Sequence, residues 1–251
     1  MTKILVLNPN SSQSMTDGVK KVVKAIYLPE NTDLHFYTAP SNAPASINNG
    51  EDIASSVEAV KADAWRYIES GKFEGILIAC FSVHPLVGEL QQLTGTSGVA
   101  TGIFEASILT ALPLLKPDEK WGVVTTGKFW EKHLSDGVQH FLGAGETDSN
   151  AKFAGVESTG LNASDFHHGV SPDVVNQKIR EATGRLLRKG KVTTVVMGCA
   201  GMAGMESQIR RGAAEEMGEE FAGKVLNVVD GVTAGVIQIE QLCRQQRLLR
   251  R

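Results

Sequence analysis

Two short apolar runs, one in each half of the chain, end at a cysteine. Ile76–Ala79 leads into Cys80, and Val195–Gly198 leads into Cys199. Short runs that are apolar throughout are typical of parallel β-strands buried on both faces. Such strands need helices on both sides of their sheet, so these runs favour an α/β fold. Each cysteine then lies at the carboxyl end of a strand, which is the edge where open α/β sheets bind their ligands.

The setting of the two cysteines repeats along the chain. Cys80 follows Asn8 by 72 residues, and Cys199 follows Thr126 by 73. Another apolar run comes after each cysteine, and the acidic residues that follow these runs are Glu105 and Asp230. The pattern indicates a degenerate internal duplication with a repeat of roughly 120 residues. The alternative is that any α/β chain yields similar strand spacings.

Runs of strand character alternate with stretches of helical periodicity through most of the chain. The strand candidates are Ile4–Leu7, Leu34–Thr38, Ile76–Ala79, Val99–Ile103, Trp121–Thr125, Lys152–Val156, Val192–Met197 and Val225–Val229. This order predicts parallel sheets with right-handed crossovers, and four strands in each half predict two lobes that face each other across a cleft. The final helix, Val232 to Leu249, is expected to pack on the first lobe. The predicted lobes are therefore residues 1–98 with 221–251, and residues 99–220.

Composition excludes several classes of protein. The 251 residues are 42% hydrophobic and 21% charged, and the net charge of −3 offers no attraction for nucleic acid or an acidic membrane surface. No apolar run approaches the ~20 residues of a membrane-spanning helix. The three cysteines lack a short CxxC spacing, which argues against a disulfide framework or a metal site. Met1–Ile4 enters a strand without a signal-peptide pattern, so the chain is expected to be cytoplasmic with reduced thiols.

Two thiols at strand ends suit proton transfer at a carbon whose two faces must be reached separately. One thiolate removes a proton while the opposite thiol delivers another, which inverts the carbon. Amides at the start of the following helix are expected to stabilise each thiolate and to lower the pKa of the thiol from about 8.5. No cofactor is demanded, because a carbon beside a carbonyl group is already activated.

Groups near the same strand ends are expected to bind the small-molecule substrate. Backbone amides of Phe81–Ser82 and of Ala200–Gly201 are predicted to stabilise the oxyanion that forms with the carbanion. The side chains predicted to hold carbonyl or carboxylate groups are those of Asn8, Ser82, Thr125 and Thr126.

Other conspicuous residues have simpler interpretations. A lone buried cysteine is usually a small hydrophobic residue, and Cys243 fits the apolar face of the final helix. His84 is expected either to tune the Cys80 thiolate or to be an imidazole on a helix surface, and His167–His168 to be exposed in a polar loop. The aperiodic segment Thr38–Glu51 is expected to be either a solvent loop or a lid. Gly198–Gly204 matches neither GxGxxG nor Walker A, so nucleotide binding is excluded.

Six short motifs in order resemble the aspartate/glutamate/hydantoin racemase superfamily, and most closely its hydantoin and allantoin racemase branch. They are Asn8-Pro9-Asn10-Ser11-Ser12, Pro44-Ala45-Ser46-Ile47, Cys80-Phe81-Ser82, Gly102-Ile103-Phe104-Glu105-Ala106, Val124-Thr125-Thr126 and Gly198-Cys199-Ala200-Gly201-Met202. The resemblance implies two Rossmann-like lobes with the site between them, no cofactor, and one acid/base cysteine from each lobe, Cys80 and Cys199. It also implies that the substrate's polar edge is held by Asn8, Ser82, Thr125, Thr126 and Ala200, and that Ile47 closes over its ring.

The chain departs from the bacterial members of that branch at two positions. Bacterial members commonly carry an aspartate directly after the cysteine triplet, where this chain has Val83 and then His84-Pro85-Leu86. They also tend to have a glutamate in the loop where Asn48 stands here. The His84-Pro85-Leu86 variant resembles fungal members of the family.

The expected function is a cofactor-independent racemase of 5-substituted hydantoins, with allantoin as a candidate substrate. The alternatives are a racemase of amino acids such as aspartate or glutamate, a maleate-isomerase-like or arylmalonate-decarboxylase-like enzyme, and a non-catalytic binding protein. The resemblance also implies a homo-oligomer, and closed symmetric assemblies are the commonest state of soluble enzymes of this size.

Overall fold

The computed structural model describes residues 1–94, 98–145, 150–166 and 169–250, so the His167–His168 pair lies outside the described residues. The chain forms two compact units. The first comprises Met1–Ala106 together with Val232–Arg251, and the second comprises Ser107–Gly231.

The first unit contains a four-stranded parallel sheet with the order β2-β1-β3-β4. Its strands are β1 (Thr2–Asn8), β2 (Thr32–Thr38), β3 (Gly75–Ile78) and β4 (Val99–Gly102). The helices that begin in or belong to this part of the chain are α1 (Gln13–Val23), α2 (Gly50–Ser70), α3 (Pro85–Thr94), α4 (Ile103–Ala111) and α8 (Gly231–Leu249). The register pairs Leu7 with Ile78, and Ile78 with Gly102, so β1, β3 and β4 end at one sheet edge.

The second unit repeats this topology, with a parallel sheet in the order β6-β5-β7-β8. Its strands are β5 (Lys120–Thr125), β6 (Phe153–Ser158), β7 (Val192–Met197) and β8 (Asn227–Asp230), and its helices are α5 (Phe129–Phe141), α6 (Pro172–Leu187) and α7 (Glu206–Met217). Two parallel sheets of four strands with the same order confirm the predicted α/β class.

The strand order explains where a ligand site belongs in each unit. The chain leaves β1 toward one side of the sheet and leaves β3 toward the other, so the order reverses between these two strands. Open α/β sheets bind ligands at the carboxyl ends of the strands at such a switch point. Asn8 ends β1 and Cys80 follows β3, while Thr125 ends β5 and Cys199 follows β7. Each cysteine therefore lies at the switch point of its own sheet.

Burial on both faces holds the cysteine-bearing strands in place. Every residue of β3 and of β7 is buried. Burying an Ile, Leu or Val side chain contributes about 1.5–3 kcal/mol, so these flat apolar runs drive the packing of both sheets. This burial accounts for the absence of hydrophobic alternation in the two runs.

The domain boundaries lie later in the chain than predicted. β4 pairs with β3, so the first unit extends beyond residue 98 to Ala106. β8 pairs with β7, so the second unit extends beyond residue 220 to Gly231. The last strand also begins two residues later than predicted, because Phe221–Val225 forms a π-helical turn.

The last helix, α8, packs on the first sheet, as predicted. Gln246 donates a hydrogen bond to the carbonyl oxygen of Gly98 at 2.9 Å. A Cβ atom on Gly75 would lie 2.7 Å from the sulfur of Cys243, so β3 and α8 approach closely at a glycine. Cys243 is buried in this contact, in agreement with a structural role. Within the described ranges, no helix combines the length and the apolar character needed to cross a bilayer.

Candidate active site

The predicted site residues divide between the two units. Those of the first unit are Asn8, Ile47, Cys80, Phe81 and Ser82, and those of the second unit are Thr125, Thr126, Cys199, Ala200 and Gly201.

Cys80 sits in a short turn between β3 and α3. The backbone before it is still part of the sheet edge, since the Ala79 N–H donates to the Leu7 carbonyl at 2.8 Å. The hydroxyl of Ser82, which is 1% exposed, donates to the Cys80 sulfur at 3.4 Å. A hydrogen bond to a sulfur favours its charged form. Ser82 is thus placed to support a Cys80 thiolate.

Phe81 anchors this turn through packing. Its buried ring meets the ring of Phe104 edge to face, with centroids 5.6 Å apart and an interplanar angle of 87°. Such aromatic pairs contribute about 0.5–1.5 kcal/mol beyond their buried area. The Ser82 N–H donates to the Cys80 carbonyl at 3.1 Å, so this amide closes the turn and does not match the predicted oxyanion donor.

Asn8 organises the loop that follows β1. Its buried amide nitrogen donates to Asn10 Oδ1 at 3.0 Å, to the Ser12 carbonyl at 3.2 Å and to Thr16 Oγ1 at 3.0 Å. Its amide oxygen accepts from the Asn10 N–H at 3.2 Å. These bonds commit most of the hydrogen-bonding capacity of the Asn8 side chain to the loop.

The segment from Ala39 to Ile47 packs against that loop. The Ser11 N–H donates to the Pro44 carbonyl at 3.0 Å, and the Ser11 hydroxyl donates to the Ala43 carbonyl at 3.0 Å. The side chains of Ala39, Ala43 and Ile47 are buried. The segment is therefore anchored to the loop after β1 by buried side chains, while Ser41, Asn42 and Ala45 between them are exposed.

His84 is neither on a helix surface nor in contact with solvent. It is 3% exposed, and burial lowers its pKa to about 4, so the ring is neutral at neutral pH. Its Nε2 lies 3.1 Å from the Ser56 hydroxyl, and its Nδ1 accepts from the Leu86 N–H at 3.4 Å. The predicted surface imidazole is thus a buried link between α2 and α3.

Cys199 lies between β7 and a short 3-10 turn, Ala200–Met202. The Gly201 N–H donates to the Cys199 sulfur at 3.3 Å. Burial raises the pKa of the Cys199 thiol to about 11, although the amides of Gly201 and Met202 act to lower it. The predicted lowering of this pKa is therefore wrong, because burial outweighs the amide dipoles, and Cys199 is a thiol at neutral pH. Because the Gly201 N–H donates to the Cys199 sulfur, this amide does not match the predicted oxyanion donor.

Gly198 is required by a close approach between β7 and β5. A Cβ atom at this position would lie 2.5 Å from Val123 Cγ1 and 3.1 Å from Thr125 Cβ. The Thr125 hydroxyl donates to the Gly198 carbonyl at 2.7 Å and is fully buried. Thr125 therefore holds the strand end that carries Cys199. Thr126 is also buried, and its carbonyl accepts from the Gly160 N–H at 3.0 Å.

Glu105 is a candidate residue that the sequence pattern marks only as an acidic residue after a strand. It lies in the first turn of α4, directly after β4, and its carboxyl group accepts from the N–H groups of Gly102 and of Glu105 itself. Burial raises its pKa to about 7, and within the described residues its buried Oε2 has no hydrogen-bond partner. A carboxyl group that is about half protonated at neutral pH thus lies one strand away from Cys80.

Metal ligands do not cluster in the described part of the chain. Across those residues, no group of three or more His, Cys, Asp or Glu side chains is arranged to hold a metal ion.

Comparison with known proteins identifies the family. A sequence model of the Asp/Glu/hydantoin racemase family matches residues 4–239. An uncharacterized protein of Schizosaccharomyces pombe is 34% identical over 246 residues, which are 97% of this chain and 93% of that protein. The hydantoin racemase of Pseudomonas sp. strain NS671 is 26% identical over 237 residues, covering 93% of this chain and 83% of the relative.

Among solved structures, allantoin racemase from Klebsiella pneumoniae shares the fold with a TM-score of 0.75 and 23% identity, covering 98% of this chain and 89% of that chain. The relatives thus include fungal proteins as well as bacterial racemases. The family match spans nearly the whole chain, and both strand-end cysteines fall within it. The chain belongs to the Asp/Glu/hydantoin racemase family.

Proposed function

We propose that this protein is a cofactor-independent racemase of 5-substituted hydantoins, with allantoin as a candidate substrate, and that Cys80 and Cys199 are its acid and base. The observation that carries the proposal is the matched placement of the two thiols. Each follows the central strand at the switch point of its own sheet, and each sulfur accepts a hydrogen bond, from Ser82 Oγ or from the Gly201 N–H.

Racemisation by two thiols balances without any further reactant. A thiolate takes the proton from C5 of the hydantoin ring, and the electron pair of the broken C–H bond moves onto the adjacent carbonyl oxygen. The thiol on the opposite face then donates its proton to C5. The product is the mirror image of the substrate, and thiol and thiolate have exchanged places.

The surroundings of Cys199 support it as the first proton donor. Burial raises its pKa to about 11, so it carries its proton in the resting protein. Cys80, with the Ser82 hydroxyl on its sulfur, is then the first base. For the other enantiomer the roles reverse, and the amides of Gly201 and Met202 support the Cys199 thiolate that this direction requires.

The chemistry of the strand ends favours a neutral ring over a free amino acid. Beside the carboxyl groups of Glu105 and Asp230, the groups that follow these strands are hydroxyls and amides, among them the side chains of Ser82 and Thr126. The raised pKa of Glu105, about 7, leaves its carboxyl only about half ionised at neutral pH. Such groups match the carbonyl and N–H groups of a hydantoin, whereas an ammonium and a carboxylate require charged partners. The relatives include a hydantoin racemase and, by fold, an allantoin racemase.

The test is to incubate single enantiomers of allantoin and of several 5-substituted hydantoins with the protein in deuterium oxide. Circular dichroism follows the loss of optical activity, and NMR follows deuterium exchange at C5. We expect both signals to decay faster than in buffer and faster than with the double variant Cys80→Ser/Cys199→Ser. If no enantiomer decays faster than in buffer, the proposed substrate class is wrong.

A further inference from the structure

A buried hydrogen bond joins the turn that carries Cys80 to helix α2. His84 Nε2 lies 3.1 Å from Ser56 Oγ, and both side chains are buried, Ser56 at 0% exposure. The Ser56 hydroxyl donates to the Ile53 carbonyl at 2.7 Å. Because that hydroxyl proton is already used, the Ser56 oxygen is the acceptor and His84 Nε2–H is the donor.

The other nitrogen of His84 caps helix α3. Pro85 begins this helix and has no N–H, and the Leu86 N–H donates to His84 Nδ1 at 3.4 Å. The Val87 N–H donates to the His84 carbonyl at 3.0 Å. A single neutral imidazole therefore makes two separate contacts, a cap on α3 and a tie to α2.

The tie connects two segments that both contribute predicted site residues. On one side, Cys80 lies four residues before His84 in the same turn. On the other side, α2 begins directly after the loop that contains Ile47. The Asn49 side chain caps α2 by accepting from the Asp52 N–H at 2.9 Å, and the Asp52 carboxylate accepts from the Asn48 N–H at 2.8 Å. The loop is thus fastened to the first turn of α2, one turn before Ser56.

We infer that His84 is a positioning residue: its hydrogen bond to Ser56 holds the Cys80 turn in register with α2 and with the Ile47 loop, so that the thiol meets the substrate in a fixed orientation. The catalytic meaning of this tie rests on the proposed function, whereas its effect on the Cys80 turn does not. The tie also gives a physical role to the His84-Pro85-Leu86 variant in this chain.

Two substitutions of His84 separate the tie from the cap. His84→Asn places an amide oxygen close to the position of Nδ1, so it can still accept from the Leu86 N–H, but it is too short to reach Ser56. His84→Gln places an amide nitrogen close to the position of Nε2, so it can still donate to Ser56 but loses the cap on α3.

Ser56→Ala removes the same hydrogen bond from the α2 side. Ser135→Ala is the matched control, because its hydroxyl donates to a carbonyl of its own helix, that of Glu131 at 2.6 Å.

The first measurement is independent of any substrate. The intact full-length protein is alkylated with iodoacetamide, and mass spectrometry of its peptides follows the reaction at Cys80 and at Cys199, with Cys199 as the internal reference. We expect the alkylation rate of Cys80 to change several-fold in His84→Asn and in Ser56→Ala, with Cys199 unchanged. His84→Gln and Ser135→Ala are expected to keep the wild-type rate at Cys80.

The second measurement is steady-state racemisation of a hydantoin. Misplacement of a reacting group by about 1 Å can cost up to ~100-fold in rate. We expect kcat to fall roughly tenfold or more in His84→Asn and in Ser56→Ala with KM near the wild-type value, and His84→Gln to retain kcat.

Two results would overturn the inference. One is wild-type alkylation of Cys80 in both His84→Asn and Ser56→Ala. The other is an equal change at Cys80 and Cys199, which would mean general loosening of the fold. If the alkylation pattern is as expected but wild-type protein racemises no hydantoin, the proposed function fails and the positioning role stands.

Discussion

At the residue scale, the two cysteines occupy matching positions but have different surroundings. The Cys80 sulfur accepts from a side-chain hydroxyl, whereas the Cys199 sulfur accepts from a backbone amide and burial raises the pKa of its thiol to about 11. Under the proposed function, the raised pKa makes Cys199 the thiol that starts protonated. One thiol must begin as an acid while the other begins as a base.

Single substitutions of these cysteines test the assignment. Cys80→Ser and Cys199→Ser are each expected to reduce racemisation at least about 100-fold, because a serine hydroxyl is too weak an acid or base near neutral pH. Each variant retains one thiol of the proposed pair and is expected to exchange the C5 proton of one enantiomer with solvent, a different enantiomer in each variant. NMR in deuterium oxide measures this exchange. Near wild-type racemisation by either variant would contradict the two-thiol mechanism.

The raised pKa of Glu105 predicts that the free energy of unfolding depends on pH. Its pKa is about 7 in the folded protein, against 4.5 without burial, so the folded state keeps a proton that the unfolded chain releases. Between these pH values, folding becomes less favourable as pH rises, by on the order of 3 kcal/mol in total. Glu105→Gln removes this titration.

The measurement is urea unfolding at pH 5 and at pH 8. At each pH, the free energy of unfolding of Glu105→Gln is compared with that of wild type. This difference is expected to favour the variant more at pH 8 than at pH 5. The exposed Glu219→Gln serves as the control and is expected to follow wild type at both pH values. An equal effect of Glu105→Gln at both pH values would show that Glu105 does not titrate in this range.

At the element scale, the end of β7 depends on a glycine where two strands meet. Gly198→Ala would push a methyl group against Val123 and Thr125 of β5. Overpacking of this kind costs about 1–3 kcal/mol and is expected to displace Cys199, the next residue. Thermal unfolding and alkylation of Cys199 measure the two effects.

Gly127→Ala is the matched control in the same unit. A methyl group at this position would have the Leu161 carbonyl oxygen as its nearest neighbour, at 3.8 Å, which is an ordinary contact distance. The substitution is expected to leave both the midpoint of unfolding and the reactivity of Cys199 close to wild type. A Gly198→Ala variant as stable as Gly127→Ala would contradict the close approach.

At the scale of the whole molecule, the two units repeat one topology, and the first contains both ends of the chain. We expect the protein to form a closed homo-oligomer, as most soluble enzymes of this size do. Sedimentation equilibrium is expected to give a mass that is a multiple of the 26.9 kDa chain. A single species with the mass of one chain across micromolar concentrations would remove this expectation.

Local pattern was sufficient to predict the sheets and the positions of the thiols. β3 and the second half of β7 are apolar without alternation because both strands are buried on both faces, so consecutive residues are enough to reveal them. The placement of Cys80 and Cys199 at strand ends follows from the same runs. Partner choice between strands is less local, and for that reason the predicted boundaries at residues 98 and 220 missed the pairing of β4 with β3 and of β8 with β7.

By itself, the sequence determined the α/β class, the two sets of four strands and the residues at their ends, because periodicity and turn chemistry act between neighbours in the chain. Only the tertiary structure decided the raised pKa values of Cys199 and Glu105 and the two contacts of His84. Each of these depends on burial and on atoms contributed by distant segments. Desolvation and hydrogen-bond geometry arise only when those segments pack, so no local pattern records them.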